Sequence, residues 1–207
     1  MASEVGIVNS ALLKVGAQTI VSLDDGSDNA NVADILYPIH RDNLLRRHTW
    51  NFATRRVKLA QSANIPVFEF DYQYPVPSDY LRVVSVSDNT DGHGRIQYKL
   101  EWDGSIEQRV ILSQATELWL RYIALVTDPN RFSTDFREAL SYSIAMDFAI
   151  KIVQSNTLYD RMEKAFKNAM RIARSTDGQE DWPEEFPEGS WTEVRSVGTD
   201  GGTSTGY

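Results

Sequence analysis

The stretch from Arg46 to Arg56 combines the residue types that nucleic-acid binding requires. It reads RRHTWNFATRR, so that four arginines bracket a tryptophan and a phenylalanine. Arginines can contact phosphates, and flat rings can stack on bases. The same pattern fits a protein interior in which Trp50 and Phe52 pack into a core while the arginines lie at the edge of that core. The block therefore leaves two hypotheses open: a DNA-binding site, or a core flanked by an interface.

The cysteine and histidine residues do not have the number or the spacing that a zinc site requires. The chain has no cysteine, and its three histidines, His40, His48 and His93, form no HxxxH pair. A zinc site is therefore not expected. The GxxxxGK[ST] loop that cradles nucleotide phosphates is absent as well. We expect no enzymatic activity, no metal and no cofactor.

Carboxylates at two places could act in catalysis or bind a cation. Asp147 lies within an apolar helical pattern, and Lys151 follows one turn later in the orientation that favours an ion pair. We therefore expect a structural role for Asp147 rather than a catalytic one. Asp24, Asp25 and Asp28 could clamp a cation, but their spacing is not that of an EF-hand loop. We expect them to form a solvated turn and a helix cap.

The net charge of −8 is concentrated at the C-terminal end. From Asp177 to Tyr207 there are eight acids and one base, which gives −7, whereas the preceding residues hold 20 bases and 21 acids. A DNA-binding domain usually has a basic body, so this distribution disfavours DNA binding. The N-terminal residues have no basic segment followed by an apolar one, and no apolar run approaches ~20 residues, so we expect neither an export leader nor a membrane span.

Two N-terminal stretches have the periodicity of helices. The first is predicted to begin at Ser3 and Glu4 and to end at Gly16. The second is predicted to begin at Ser27 or Asp28 and to end between Arg47 and Trp50. Its expected buried face consists of Val32, Ile35, Leu36 and Ile39. Because Pro38 lies inside this pattern, we expect a kink near Tyr37.

Two further helices are predicted after Asp128-Pro129. In the third helix, apolar residues recur every four positions and indicate a central, buried element; they are Phe132, Phe136, Leu140, Ile144, Phe148 and Ile152. The fourth helix is predicted to begin at Ser155 or Asn156 and to end at Asp177-Gly178. Its inward face is expected to hold Leu158, Met162, Phe166, Ala169 and Ala173.

Between the helices, residues 66–126 have the composition of short strands. The stretches VFEFDYQYPVP, LRVVSVS, RIQYKLEWDG, RVILSQ and TELWLRYIALV are rich in Val, Ile, Tyr and Trp. Asp91-Gly92 and Asp103-Gly104 separate such stretches and favour tight hairpins. The predicted fold is therefore α+β: a four-helix bundle body (1–65 and 127–178), a small antiparallel β insertion (66–126) and an extended acidic C-terminal arm (179–207).

Several stretches resemble the tail tubular protein A family of short-tailed phages, or podoviruses. They are NSALLKVGAQTIVSLDDGS, YPIHRDNLLRRHTWNFATRR, YQYPVPSDYLRVVSV and RYIALVTDPNRFSTDFREALSYSIAMDFA. The resemblance covers roughly residues 5–175. Its most specific part is the block around Trp50, Asn51 and Phe52, followed by the Pro-Ser-Asp-Tyr-Leu-Arg turn. Many members have proline before this tryptophan, where the present chain has Thr49.

This resemblance implies a structural head-to-tail adaptor without enzymatic activity or cofactor. Family members form a homo-oligomeric ring, usually of twelve subunits, between the portal protein and the tail nozzle protein, with tail fibres as possible further partners. DNA passes through the bore during ejection without sequence-specific binding. The expected location is the virion tail, assembled in the host cytoplasm, with no membrane contact. Members are helical bundles with a β insertion, which agrees with the periodicity.

The resemblance also bears on the Arg46–Arg56 block. A channel that DNA must leave quickly should not hold phosphates tightly, because each phosphate contact adds to affinity. We therefore favour a core at Trp50 and Phe52 with a subunit interface at the four arginines: Arg46, Arg47, Arg55 and Arg56. Two alternatives remain: a nucleic-acid-binding protein that uses Arg46–Lys58, and a tail-associated hydrolase that uses Asp and Glu.

The C-terminal arm has no hydrophobic period, yet it contains large aromatic residues. Trp182, Phe186 and Trp191 are spaced among acids, and the chain ends at Tyr207. Such rings act as anchors when a partner buries them. We expect the arm to dock on a neighbouring chain, the portal or an adjacent subunit.

Overall fold

The structure is a computed structural model that describes residues 2–90 and 96–180, and four α-helices and six β-strands lie within this range. Two helices come first, α1 (Glu4–Val15) and α2 (Asp28–Arg46). The strands are β1 (Thr54–Leu59), β2 (Tyr72–Pro75), β3 (Tyr80–Ser87), β4 (Tyr98–Asp103), β5 (Gln108–Ser113) and β6 (Leu118–Ala124). The last helices are α3 (Thr134–Lys151) and α4 (Asn156–Gln179). Short 3-10 turns occur at Asn51–Ala53 and Pro129–Arg131.

A serine side chain begins each of these helices. The hydroxyl accepts a hydrogen bond from the backbone N–H three residues later: Ser3 from Gly6, Ser27 from Ala30, Ser133 from Phe136 and Ser155 from Leu158. Each bond satisfies an N–H group that the first helical turn leaves without a partner. Gly16 ends α1 in the left-handed region at φ 73°, where a side chain would be strained. The predicted beginnings of α1, α2 and α4 are confirmed.

Helix α3 is the central helix and contacts each of the other three. Its predicted apolar stripe is confirmed, because Phe136, Leu140, Ile144 and Phe148 are fully buried. Phe132, just before the helix, is also buried, and Ile152 packs against the core from its edge. An apolar face this wide can receive helices on several sides.

The predicted buried face of α2 is right for Val32 and Leu36, which are half-buried against the helical core, and wrong for Ile35 and Ile39. Ile35 and Ile39 are more than half exposed, whereas Ala33, Tyr37 and Leu44 are buried. Ala30, Ala33, Tyr37 and Leu44 recur at helical spacing, so the buried face of α2 is centred on them and lies to one side of Ile35 and Ile39. The helix runs through Pro38 as one element from Asp28 to Arg46.

The strands form two three-stranded antiparallel sheets, with orders β1-β6-β3 and β2-β5-β4. The first strand begins at Thr54, earlier than the predicted start at residue 66, and residues 67–70 are not in a strand. Asp103-Gly104 begins the tight connection between the paired strands β4 and β5, as predicted. Asp91-Gly92 lies outside the described residues. We call residues 54–124 the sheet region and the four helices the helical region.

Three apolar clusters hold these parts together. The main cluster draws on all four helices and includes Trp50, Ala53 and Ile123. A second cluster lies within the sheet region around Tyr74, Ile111 and Leu120, and a third joins Phe70, Val110 and Leu112. Over the described part of the chain, no helix combines the length and apolar character needed to cross a bilayer. The structure is thus a mixture of four helices with two small antiparallel sheets.

Candidate functional site

Trp50 is the centre of the connection between α2 and β1. It has no exposed surface, and its indole N–H donates a hydrogen bond of 3.0 Å to the backbone carbonyl of Leu44. A buried tryptophan needs such a partner for its one polar group. The backbone carbonyl of Trp50 in turn accepts the hydroxyl of Thr54 at 2.8 Å.

An aromatic cluster surrounds this ring. The centroid of Trp50 lies 5.0 Å from that of Phe136 in an edge-to-face arrangement. Phe52, which is half-buried, lies 5.1 Å from Phe136 and 5.8 Å from Phe132. The prediction of burial is confirmed for Trp50, and Phe52 is partly buried. A ring that is fully enclosed in this way has no face on which a nucleic-acid base could stack.

Two of the four arginines in this block make contacts within the chain. A guanidinium N–H of Arg46 donates to the backbone carbonyl of Leu81 at 2.9 Å. Arg55 forms an ion pair with Asp79, whose second carboxylate oxygen accepts the hydroxyl of Tyr122 at 3.0 Å. The Arg46 contact holds the end of α2 against β3, whereas the Arg55 contact joins β1 to the turn before β3 and to β6 within the sheet region.

The other two arginines are exposed. Arg47 follows the last residue of α2, and Arg56 lies on β1 opposite Arg121 in the strand register. The structure thus separates the block into a buried ring, two arginines with contacts inside the chain, of which Arg46 is itself exposed, and two further exposed arginines. The role of the four arginines at a subunit interface stays a prediction.

Asp177 connects the end of α4 to the Trp50 connection, and the sequence did not indicate this. Its carboxylate is buried and accepts the backbone N–H of Asn51 at 3.1 Å. The side-chain amide of Asn51 donates back to the backbone carbonyl of Asp177 at 2.8 Å. His48 Nε2 lies 3.3 Å from the other carboxylate oxygen. Since the residues are far apart in sequence, no local spacing could have predicted this contact.

The pKa of His48 is lowered. Burial is the main cause, and the positive charges of Arg174 and Arg82 add to it, while Asp177 opposes the shift. Burial disfavours the charged imidazolium because the protein solvates it less well than water does. His48 therefore packs against Trp50, at 4.7 Å between ring centroids, mainly as a neutral ring near pH 7.

His40, Ser143 and Asp147 form a hydrogen-bonded chain between α2 and α3. His40 Nδ1 lies 2.7 Å from the hydroxyl of Ser143, and Nε2 lies 2.9 Å from a carboxylate oxygen of Asp147. The predicted structural role of Asp147 is consistent with this pairing, although its partner is His40 and not Lys151. The order of groups is that of a serine-hydrolase triad with the two ring nitrogens exchanged. However, Ser143 is only 7% exposed, so its hydroxyl is closed off from a substrate. The hydrogen bonds of His40 with Ser143 and Asp147 therefore serve to hold α2 and α3 together.

The acidic turn before α2 is organised by Asp25. Its carboxylate accepts the backbone N–H and the hydroxyl of Ser27 and the backbone N–H of Val21. The hydrogen bonds from Ser27 lower the pKa of Asp25. Within residues 2–90 and 96–180, no group of three or more His, Cys, Asp or Glu side chains could hold a metal ion. The predicted solvated turn is confirmed, with the cap supplied by Ser27.

A groove of about 590 Å³ runs along α4 and has a basic rim. Its floor is apolar and consists of Met146, Phe166 and Met170, with Tyr159 at one end. Its rim has four cations, Arg47, Lys167, Arg171 and Arg174, and one carboxylate, Glu163. Glu163 pairs with Lys167 at 2.7 Å. We call this surface the basic groove.

A second surface feature is an apolar patch on the sheet region. Val67 is 98% exposed, Phe68 78%, Ile65 75% and Trp102 64%. These four residues line a single cleft of about 490 Å³ between the loop before β2 and the strand β4. We call them the apolar patch. The sequence predicts a strand at Val67 and Phe68, whereas both residues lie in the loop before β2.

The predicted arm residues Trp182, Phe186, Trp191 and Tyr207 lie outside the described residues, as does His93. Residues 202–206 of the same segment read GTSTG, which matches the GxSxG spacing of a hydrolase nucleophile. That motif acts only at a strand-to-helix turn, and this segment too lies outside the described part.

Compared with known protein families and with curated proteins, the chain matches none.

Proposed function

We propose that this protein is a structural subunit of a phage virion tail: a head-to-tail adaptor that forms a ring between the portal and the tail nozzle. The resemblance of residues 5–175 to tail tubular protein A supports this proposal. The observation that carries it is the apolar patch, because a subunit that assembles needs an apolar surface for its neighbour. Scattered single apolar residues are ordinary on a protein surface, whereas a contiguous group marks an interaction site.

The strand beside the patch supports the same role. β4 is at the edge of its sheet, and Tyr98, Leu100 and Trp102 are all exposed along it. Proteins usually protect an exposed edge strand, since its free N–H and C=O groups can pair with another chain. We propose that an adjacent copy of this chain covers the patch and this edge in the ring.

In this proposal the four helices form a four-helix bundle body, and the acidic arm (residues 179–207) contacts the portal. Arg47 and Arg56 contribute to the ring from exposed positions, while Arg46 joins the helical region to β3 and Arg55 joins the strands of the sheet region in the geometry that the ring requires. DNA passes through the bore, and Trp50 has a structural role only. No catalytic step and no cofactor belong to this function.

Imaging the purified chain with a cognate portal tests the proposal directly. We expect particles in which a second ring lies against the portal, and a mass equal to a whole number of copies per portal. The chain should also leave the portal intact and should not degrade cell-wall polymers. A chain that stays monomeric and never co-purifies with the portal would contradict the adaptor role.

A further inference from the structure

The basic groove and the C-terminal arm have complementary chemistry. Residues 180–193 contain six acids and no base, and three aromatic rings are spaced among them: Trp182, Phe186 and Trp191. The groove has the opposite character, with four cations on its rim and an apolar floor. Aromatic rings can fill an apolar floor, and the acids between them can pair with the rim.

The lengths of the two features also agree. From Arg174 to Tyr159 the groove follows α4 for ~22 Å, at ~1.5 Å for each helical residue. An extended chain from Trp182 to Trp191 spans ~30 Å, at ~3.3 Å for each residue. Because α4 ends at Gln179, a reversal near Glu180 is enough to lay the segment back along the helix.

We propose that residues 181–193 of the same chain occupy the basic groove in the free subunit. The same chain is the favoured source because the segment is tethered about two helical turns from Arg174, and a short tether gives millimolar effective concentration. Pro183 and Pro187 restrict the backbone, which reduces the entropy lost on docking. This docking needs no ring and no portal, so it goes beyond the proposed adaptor role.

The docked segment would cover apolar surface that is otherwise open to water. Met146 and Tyr159 are half-buried at the groove floor, and the rings of the arm would complete their burial. If the adaptor role holds, the contact also keeps the arm from binding other chains before the subunit meets its partner.

Proteolysis of the full-length chain tests the proposal. A glutamate-specific protease is added to native protein, and the rate of cleavage after Glu188 is followed by mass spectrometry. We expect Arg171→Glu with Arg174→Glu to raise this rate at least tenfold, because like charges would then repel the segment. The matched control is Arg161→Glu with Lys164→Glu, which makes the same charge change on the same helix outside the groove and should leave the rate within twofold.

A charge-swap variant separates direct contact from a general loosening of α4. Adding Glu184→Lys and Glu185→Lys to the variant that carries Arg171→Glu and Arg174→Glu, which we call the reversed-groove protein, should restore slow cleavage after Glu188. Thermal unfolding checks that each variant is folded. If Arg174→Glu itself lowers the melting temperature, the pair Arg47→Glu and Arg171→Glu is used in place of the pair Arg171→Glu and Arg174→Glu.

Three results would overturn the inference. The first is equal cleavage in the native and reversed-groove proteins. The second is a charge swap that fails to restore protection. The third is protection that increases with protein concentration, since that identifies the segment of a second copy as the occupant, whereas contact within one chain is independent of concentration. None of these measurements involves the portal, so their failure leaves the adaptor proposal standing.

Discussion

Two tryptophans illustrate how differently the helical and sheet regions use their large side chains. Trp50 has no exposed surface and packs against Phe52 and against Phe136 of the central helix α3. Trp102 lies on the edge strand β4 and is 64% exposed. The helical region buries its rings in one large cluster, and the large apolar side chains that it exposes are aliphatic, such as Ile35 and Ile39. The sheet region instead exposes the rings of Phe68, Tyr98 and Trp102, so we expect a partner that binds aromatic side chains to contact the sheets.

The size of the two cores explains this difference. The central helix α3 receives neighbours on several sides, so most of its apolar residues find contacts. Among residues 2–90 and 96–180, the β2-β5-β4 sheet has three strands, and five of the six residues of β4 are exposed. A sheet this small buries only part of its apolar surface.

The same substitution in the two regions should have opposite consequences. We expect Trp50→Ala to reduce the free energy of unfolding by ~3–5 kcal/mol, the range for removing a large aromatic side chain from a core. Trp102→Ala should change it by less than about 0.5 kcal/mol, as is usual for surface sites. Chemical denaturation of both variants measures the difference. Similar losses would show that the sheet region is as tightly packed as the helices.

Loss of the Asp177 contact should reduce the free energy of unfolding by less than loss of the buried Trp50 ring but by more than loss of a surface charge. Asp177→Ala removes the acceptor for the backbone N–H of Asn51, and a buried donor left without a partner costs about 1–3 kcal/mol. Asp160→Ala changes an exposed acid of the same helix and serves as the control. Equal midpoints of denaturation for the two variants would contradict this assignment.

Removal of the apolar patch should weaken self-association without affecting the fold. Phe68→Ser with Trp102→Ser removes two exposed rings, and we expect at least a tenfold loss in affinity between copies, about 1.4 kcal/mol. Ile35→Ser with Ile39→Ser removes two exposed apolar side chains from the helical region and should leave association unchanged. Analytical ultracentrifugation gives both values. If the control pair has the larger effect, the interface lies on α2 and not on the sheets.

The smallest predicted effect is the pH dependence due to His48. Its pKa in the folded state lies below the ordinary 6.5, so the unfolded chain takes up a proton first as the pH falls. His48 therefore leaves stability unaffected above pH 6.5 and lowers it as the pH decreases from there through the folded-state pKa, by less than about 1.4 kcal/mol per pH unit. Unfolding free energies between neutral and mildly acidic pH should have a shallower slope in His48→Gln. An unchanged slope would assign the effect to other groups.

Local signals in the sequence predicted the helices well. Serine caps and the left-handed Gly16 act within a few residues, so their effect can be read from a short window. The stripe on α3 is periodic and equally local. On α2 the prediction holds for Val32 and Leu36 but fails for Ile35 and Ile39, because the buried face is centred on Ala33 and Tyr37 although the isoleucines are more apolar than Ala33.

The contacts at the candidate sites could not be predicted in the same way. Asp177 meets Asn51, and His40 meets Ser143 and Asp147, only after distant segments have folded together. The apolar patch escaped detection because Val67 and Phe68 have high strand propensity, which is a weak signal where no neighbouring strand pairs with them. Sequence reasoning therefore located the core of the protein more accurately than its surfaces.

The link between Asp177 and Asn51 also has a mechanical consequence. Once a pull has detached the C-terminal segment from the basic groove, the force enters the protein through the last turn of α4, where two hydrogen bonds connect it to the residue beside Trp50. Tension would thus pass into the aromatic cluster on α3 instead of peeling α4 from its end. In a force-extension experiment with a handle at Tyr207, Asp177→Ala should convert one high rupture force into a gradual unwinding of α4 at lower force.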